Sequence, residues 1–363
     1  MRFLVLTLVS VSLGVVPVQL HSPAAAYGGA TCAGLPVTID LNDPDHPRVH
    51  RPRSDVVLGT PEGEWIGAGR GDDVVCAGGG NDFLIGSRGD DVLRGGPGTD
   101  GVSYRQSVRP VRVDLAVTRP QRTGVGVDTL VGVEEVSGSR TQPNDIRGNA
   151  ERNRITGGDA ADVLVGRGED DYVSDWEQAD AGNDDDDDLL RGGDGDDYLY
   201  AGGGDDLMYG GAGSDLLIAD FGIDVLYGGS GVDILEAWGR ATDSEPDRID
   251  GGAEPDFLAA ASGPQLYDGG PGSDIIDFAG FGFAGATIDL AVDGPQDTNV
   301  AGIDEFVSVE GVYGSSGPDT ILGDDGPNFL SGEGGADEID GRGGTDQCEV
   351  EPTDSVAGCE EFL

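Results

Sequence analysis

A nine-residue period governs this chain. From Gly192 it reads GGDGDDYLY, AGGGDDLMY, GGAGSDLLI, ADFGIDVLY and GGSGVDILE without a gap. Gly dominates positions one, two and four. Asp fills position six (Asp197, Asp206, Asp215, Asp224, Asp233), and a large apolar residue fills position eight (Leu199, Met208, Leu217, Leu226, Leu235). Repetition at a fixed period points to stacked, nearly identical structural units. Gly supplies tight turns and close backbone approach at little cost, so the first half of each unit reads as a turn. The residues after Asp read as a short strand with one apolar side chain pointing inward. Two units then make one flattened coil, and residues eighteen apart stack. This puts Asp197, Asp215 and Asp233 along one edge and Asp206 and Asp224 along the other.

The frame extends far beyond these five units. AGRGDDVVC, AGGGNDFLI, GSRGDDVLR and GGPGTDGVS place Asp73, Asp82, Asp91 and Asp100 at position six. Further units supply Asp162, Asp171 and Asp188, then Asp247, Asp256 and Asp274, then Asp319, Asp337 and Asp346. Glu64, Asn144, Asn153, Asn328 and Gln265 occupy the same position, and those units are expected to bind weakly or only structurally.

Stacked aspartates create an electrostatic difficulty. Strands in a sheet lie ~4.8 Å apart. Two unit charges at that distance repel by roughly 1 kcal/mol in water and ~3.5 kcal/mol at an effective dielectric of 20. Summed along two edges, this exceeds the ~5–15 kcal/mol stability of an ordinary domain. Each strand buries only one apolar side chain, too little to offset it. A divalent cation between turns removes the repulsion. Carboxylates and turn carbonyls are hard oxygen ligands that suit Ca²⁺ better than Mg²⁺, which demands near-ideal octahedra.

These units resemble the RTX, or haemolysin-type, calcium-binding repeat of secreted bacterial proteins, G-G-x-G-x-D-x-U-x. The resemblance covers most of residues 51–349. It implies an all-β fold, a right-handed parallel β-roll or β-helix solenoid. It also implies several Ca²⁺ ions held by turn carbonyls and by the eighteen position-six aspartates named above from Asp73 to Asp346. No EF-hand loop spacing is present.

The N-terminus reads as an export signal: Arg2, an apolar run from Phe3 to Val18, then Ala24, Ala25 and Ala26, with cleavage expected after Ala26. No later segment is apolar enough to span a membrane. The expected organisation is a signal peptide (1–26), an N-terminal arm (27–49), repeats (50–103), a β-helix spacer (104–138), repeats (139–236), repeats that open irregularly (237–277), a second spacer (278–313), repeats (314–349) and a C-terminal cap (350–363). The spacers resemble each other. VRVDLAV and GVDTLVGVEEVSGS in the first match TIDLAV and GIDEFVSVEGVYGS in the second. Asp114 and Asp289 stand 175 residues apart, and Glu134 and Glu310 176 apart, as in an internal duplication. Their acids are expected on solvated strand faces. In the run Asp184 to Asp188, only Asp188 falls in the ligand frame. Trp176 and Trp238 interrupt the frame and are expected to fill the core at irregular coils.

Cys32, Cys76, Cys348 and Cys359 allow three pairings. Proximity favours Cys348–Cys359 and leaves Cys32–Cys76, and an exported chain would oxidise both. With 69 acids against 21 arginines and no lysine, the net charge is −48, which argues against nucleic acid as a partner. His46 and His50 flank Pro47 and form no zinc motif. No catalytic motif is present, and the segment before the repeats is too short for a catalytic domain. The expected protein is a secreted, monomeric, non-enzymatic calcium binder that folds on binding the ion. The alternatives are a β-helix glycan lyase or epimerase and a calcium-dependent adhesin contacting cell-surface glycan.

Overall fold

The computed structural model describes residues 30–43, 51–52, 54–67, 69–175, 186–238 and 245–363. The expected signal peptide, His46, His50, Trp176 and Asp184 lie outside the described residues.

The chain is a parallel β-roll. Successive short strands alternate between two faces. One face is a single 15-stranded sheet running from Trp65–Gly67 to Glu361–Phe362. The other face is split into sheets of 6, 10 and 4 strands. Registers repeat the nonapeptide arithmetic. Tyr198, Leu199 and Tyr200 pair with Leu216, Leu217 and Ile218, eighteen positions on. The position-eight residues Leu199, Met208, Leu217, Leu226 and Leu235 are all 0% exposed and join one apolar core that runs from Val57 to Cys348. Each inward side chain is flanked by its equivalents one coil above and below, so a three-residue strand is buried by its neighbours rather than by its own length. Among the described residues the only helical turn is Ala279–Phe281.

Both splits of the second face coincide with the spacers. In the first, Val127–Val131 and its antiparallel edge partner Gln121–Arg122 close the 6-stranded sheet, and Val111–Asp114 opens the 10-stranded one. In the second, Ile303–Val307 and its antiparallel edge partner Gln296–Asp297 end the 10-stranded sheet, and Thr287–Asp289 opens the 4-stranded one. The duplication extends to side chains. Gln121 accepts from the Asp114 amide at 2.8 Å and Gln296 from the Asp289 amide at 2.9 Å. Arg167 grips both oxygens of Asp114 at 2.8 and 3.0 Å, and Arg342 grips both of Asp289 at 2.6 and 2.7 Å. These two aspartates therefore do not face solvent alone. The bidentate guanidinium, which can accept no proton, holds each carboxyl below its ordinary range.

Two disulfides, Cys32–Cys76 and Cys348–Cys359, match the favoured pairing. Cys348 sits inward at position eight and is fully buried. Trp238 departs from expectation. It is 57% exposed, and its indole N–H donates to Glu236 at 3.2 Å. The core at that coil is already filled by Leu235 and Ala237.

Candidate metal centre

The turns fix where each position-six aspartate points. All eighteen candidates, Asp73 to Asp346, are at most 4% exposed. They line up in two ladders, one on each edge of the roll. Along the uninterrupted face, each amide N–H donates to Oδ1 of the next rung: Asp197 to Asp215, Asp215 to Asp233, Asp233 to Asp256 and Asp256 to Asp274, each at 2.8 Å. Along the other face the same bond runs from Asp188 to Asp206 and from Asp206 to Asp224, both at 2.9 Å. Where the frame slips, the ladder holds: Asp162 still donates to Asp188 and Asp171 to Asp197 across 26 residues. The neighbouring acids Asp186 and Asp187 are exposed, as expected for that run.

Each carboxylate thus uses one oxygen to satisfy a buried amide. The second oxygen is the unusual one. Oδ2 of Asp73, Asp82, Asp100, Asp171, Asp197, Asp215, Asp224, Asp233, Asp256, Asp274, Asp337 and Asp346 is buried with no hydrogen-bond donor. A buried anionic oxygen without a partner is costly. In the units that open with Gly, it lies against that position-one Gly, beside a main-chain carbonyl of the next coil. At Gly210, a Cβ would stand 2.4 Å from Asp215 Oδ2 and 2.6 Å from the carbonyl oxygen of Gly228. In the units of Asp82, Asp206 and Asp224 a buried Ala (Ala77, Ala201, Ala219) holds the same position. Among the described residues no group of three acid, His or Cys side chains converges. Any ion in these turns would therefore draw on carboxylates of stacked coils together with main-chain carbonyls, the hard oxygen set that calcium takes.

Burial pushes Asp224 up to about 8, Asp91, Asp171, Asp197, Asp215 and Asp256 up to about 7, and Asp233 and Asp274 up to about 6. Loss of water is the first cause in every case, and the ladder amide opposes it. Repulsion between rungs, the basis of the expectation from sequence, comes after both. The difficulty is one of desolvated charge more than of like charges in contact.

The exceptions at position six show another way to close a rung. The Asn144 amide donates to both oxygens of Asp162, at 3.0 and 2.8 Å. The Gln265 amide donates to Asp247 Oδ2 at 2.8 Å. Asn153 and Asn328 donate to main-chain carbonyls instead, and Glu64 accepts from the Thr60 amide and hydroxyl. At Asp162 and Asp247 a neutral amide thus meets the carboxylate oxygen that other rungs leave without a donor.

The ladders contain members that sequence reasoning missed. Asp128 accepts from the Asp91 amide at 3.0 Å, and Asp304 from the Gln265 amide at 3.1 Å. Both begin a D-x-U triplet, GVDTL and GIDEF, which could have revealed them. Glu134, Glu310 and Glu360 accept from the amides of Asp100, Asp274 and Asp346 at 2.8, 3.0 and 2.9 Å. The expectation of solvated spacer acids is corrected for Asp128, Glu134, Asp304 and Glu310: longer or shifted side chains extend the ladders into the spacers. Asp55 is a further rung, donating its amide to Asp73 at 2.7 Å. An outer, exposed ladder runs through position five, where Asp72, Asp90, Asp170, Asp187, Asp196 and Asp205 accept amides of the following coil.

No curated protein matches the chain. The profile of the RTX calcium-binding nonapeptide repeat (4 copies) matches residues 65–102, 143–173, 182–217, 209–239 and 313–348. With its parallel coils and buried carboxylate rungs, the chain carries RTX calcium-binding nonapeptide repeats over those stretches.

Proposed function

We propose that this protein is an extracellular, non-enzymatic calcium binder that completes its fold on taking up the ion. The observation that carries the reading is the set of buried aspartate Oδ2 atoms that lack any donor. The eighteen position-six aspartates from Asp73 to Asp346, with turn carbonyls, would hold the ions, and Asp128, Glu134, Asp304 and Glu310 join them. Asp162 and Asp247, already engaged by amides, would hold them least. Calcium supplies positive charge where water has been excluded. It binds the stacked state and not the extended chain, so its binding energy becomes folding energy. Calcium is abundant outside the cell, which fits the apolar segment and small-residue site at the N-terminus and both disulfides. Among the described residues no helix is long and apolar enough to cross a membrane.

The test is a calcium titration of the purified chain, followed by far-ultraviolet circular dichroism and by ion counting in native mass spectrometry. β-Sheet signal should be largely absent in chelator and appear at millimolar calcium with several ions bound. A spectrum indifferent to chelation would sink the proposal.

A further inference from the structure

One groove on this acidic protein has the opposite sign. It lies where the first repeats meet the first spacer, and it encloses about 920 Å³. Arg70, Arg88, Arg105, Arg109 and Arg140 line it, against the single carboxylate of Glu135. Five of the chain's 21 basic residues thus gather in one place, on a molecule of net charge −48. The repeat itself supplies two of the five arginines. Arg70 and Arg88 hold position three of GRGDD-type turns eighteen residues apart, so they stack on adjacent coils. Arg109 and Arg140 follow the next two strands of the same sheet, Gly101–Ser103 and Glu135–Ser137. Arg70, Arg88, Arg109 and Arg140 are exposed, and none makes an ion pair with a described residue.

The groove has an aromatic wall. Trp65 is 78% exposed, and its ring lies 4.4 Å from that of Phe83, its register partner one strand along. A large exposed indole on a rigid strand offers a flat apolar face beside charged hydrogen-bond donors. Guanidinium groups take carboxylate and sulfate oxygens in pairs. Aromatic faces pack against the apolar faces of sugar rings, burying area at little entropic cost.

We infer that this groove binds an acidic oligosaccharide, with arginines on its carboxylate or sulfate groups and Trp65 on a sugar ring. A nucleic acid fits less well. Duplex DNA carries a charge every ~1.7 Å, and a strand leaving the groove would run onto the exposed position-five aspartates. The inference does not depend on which residues ligate calcium.

The test is isothermal titration calorimetry on the full calcium-loaded chain at fixed free calcium. The probe is a chondroitin sulfate oligosaccharide, with maltoheptaose as neutral control and a single-stranded oligonucleotide of equal charge as competitor. Binding of the sulfated probe alone is expected, weakening as salt rises. Arg88→Gln with Arg109→Gln should lower affinity about tenfold or more, and Trp65→Ala likewise. Arg94→Gln, an arginine outside the groove, should not. Circular dichroism on each variant separates lost binding from lost fold. No heat with the sulfated probe, equal or tighter oligonucleotide binding, or wild-type affinity in the groove variants would each overturn the inference.

Discussion

Replacing Asp215 with Asn should have opposite effects with and without calcium. Asp215 sits mid-ladder, 2% exposed, accepting the Asp197 amide at 2.8 Å and donating its own to Asp233 at 2.8 Å. Burial raises its carboxyl from 3.8 to about 7. Keeping it ionised in the calcium-free stack therefore costs about 4 kcal/mol. Asn keeps the Oδ1 acceptor and removes the charge. The Asn144–Asp162 rung shows that the amide has a natural partner one coil on. In chelator, Asp215→Asn should stabilise the roll by a substantial part of that ~4 kcal/mol. In calcium, the variant loses a charged ligand, and a charge-assisted contact is worth about 1.5–3 kcal/mol. Two measurements read the two signs. Sodium sulfate drives compaction without adding calcium, and the concentration that gives half the β signal in chelator should fall. The urea midpoint in millimolar calcium should also fall, which there means lost stability. Matching shifts toward stability in both conditions, or toward instability in both, would refute the reasoning.

Two further outcomes follow from the same geometry. Gly210→Ala places a Cβ 2.4 Å from Asp215 Oδ2 and 2.6 Å from a main-chain oxygen, so it should cost about 1–3 kcal/mol and weaken calcium binding. Gly334→Ala, with nothing within 4 Å, should leave the urea midpoint within error; equal effects would show that the carboxylate–carbonyl cleft is unimportant. The calcium-free chain should also respond to acid. Burial raises the carboxyls of Asp91, Asp171, Asp197, Asp215, Asp224, Asp233, Asp256 and Asp274 to about 6 to 8 in the stack, against about 3.9 when unfolded. Because the folded values are the higher ones, the stack is fully favoured below about 4 and loses that support as pH rises through 6 to 8. Circular dichroism in chelator at low protein concentration should show β structure gained on acidification, and a flat profile would contradict this.

The sequence was most legible where the period was strict. From Gly192 to Glu236 the turn, the inward residue and the rung all followed from position in the unit. The cysteine pairing was legible because Cys348 and Cys359 stand only 11 residues apart and leave one other pair. Legibility fell where the phase slipped. Glu134 and Glu310 reach the ladders from outside the frame because a side chain one carbon longer compensates for a shifted backbone. The Arg167–Asp114 and Arg342–Asp289 pairs are each 53 residues apart and carry no local signal. Trp238 looked like core because it interrupts the pattern, yet its neighbours already filled the interior. The arginine groove was hidden because its members come from two turns and two loops that only stacking brings together.

The backbone bonds of the inner, position-six ladders run one way: each of those buried amides finds its acceptor in the coil that follows. The last rungs borrow theirs from beyond the repeats, Asp346 from Glu360 and Asp337 from Asp354. The tail is thus the terminating acceptor for both tracks, stapled in place by Cys348–Cys359. A chain emerging amino end first leaves every newest turn with an unmet donor until the next arrives. The inner ladders therefore close only once the segment carrying Asp354 and Glu360 has joined them.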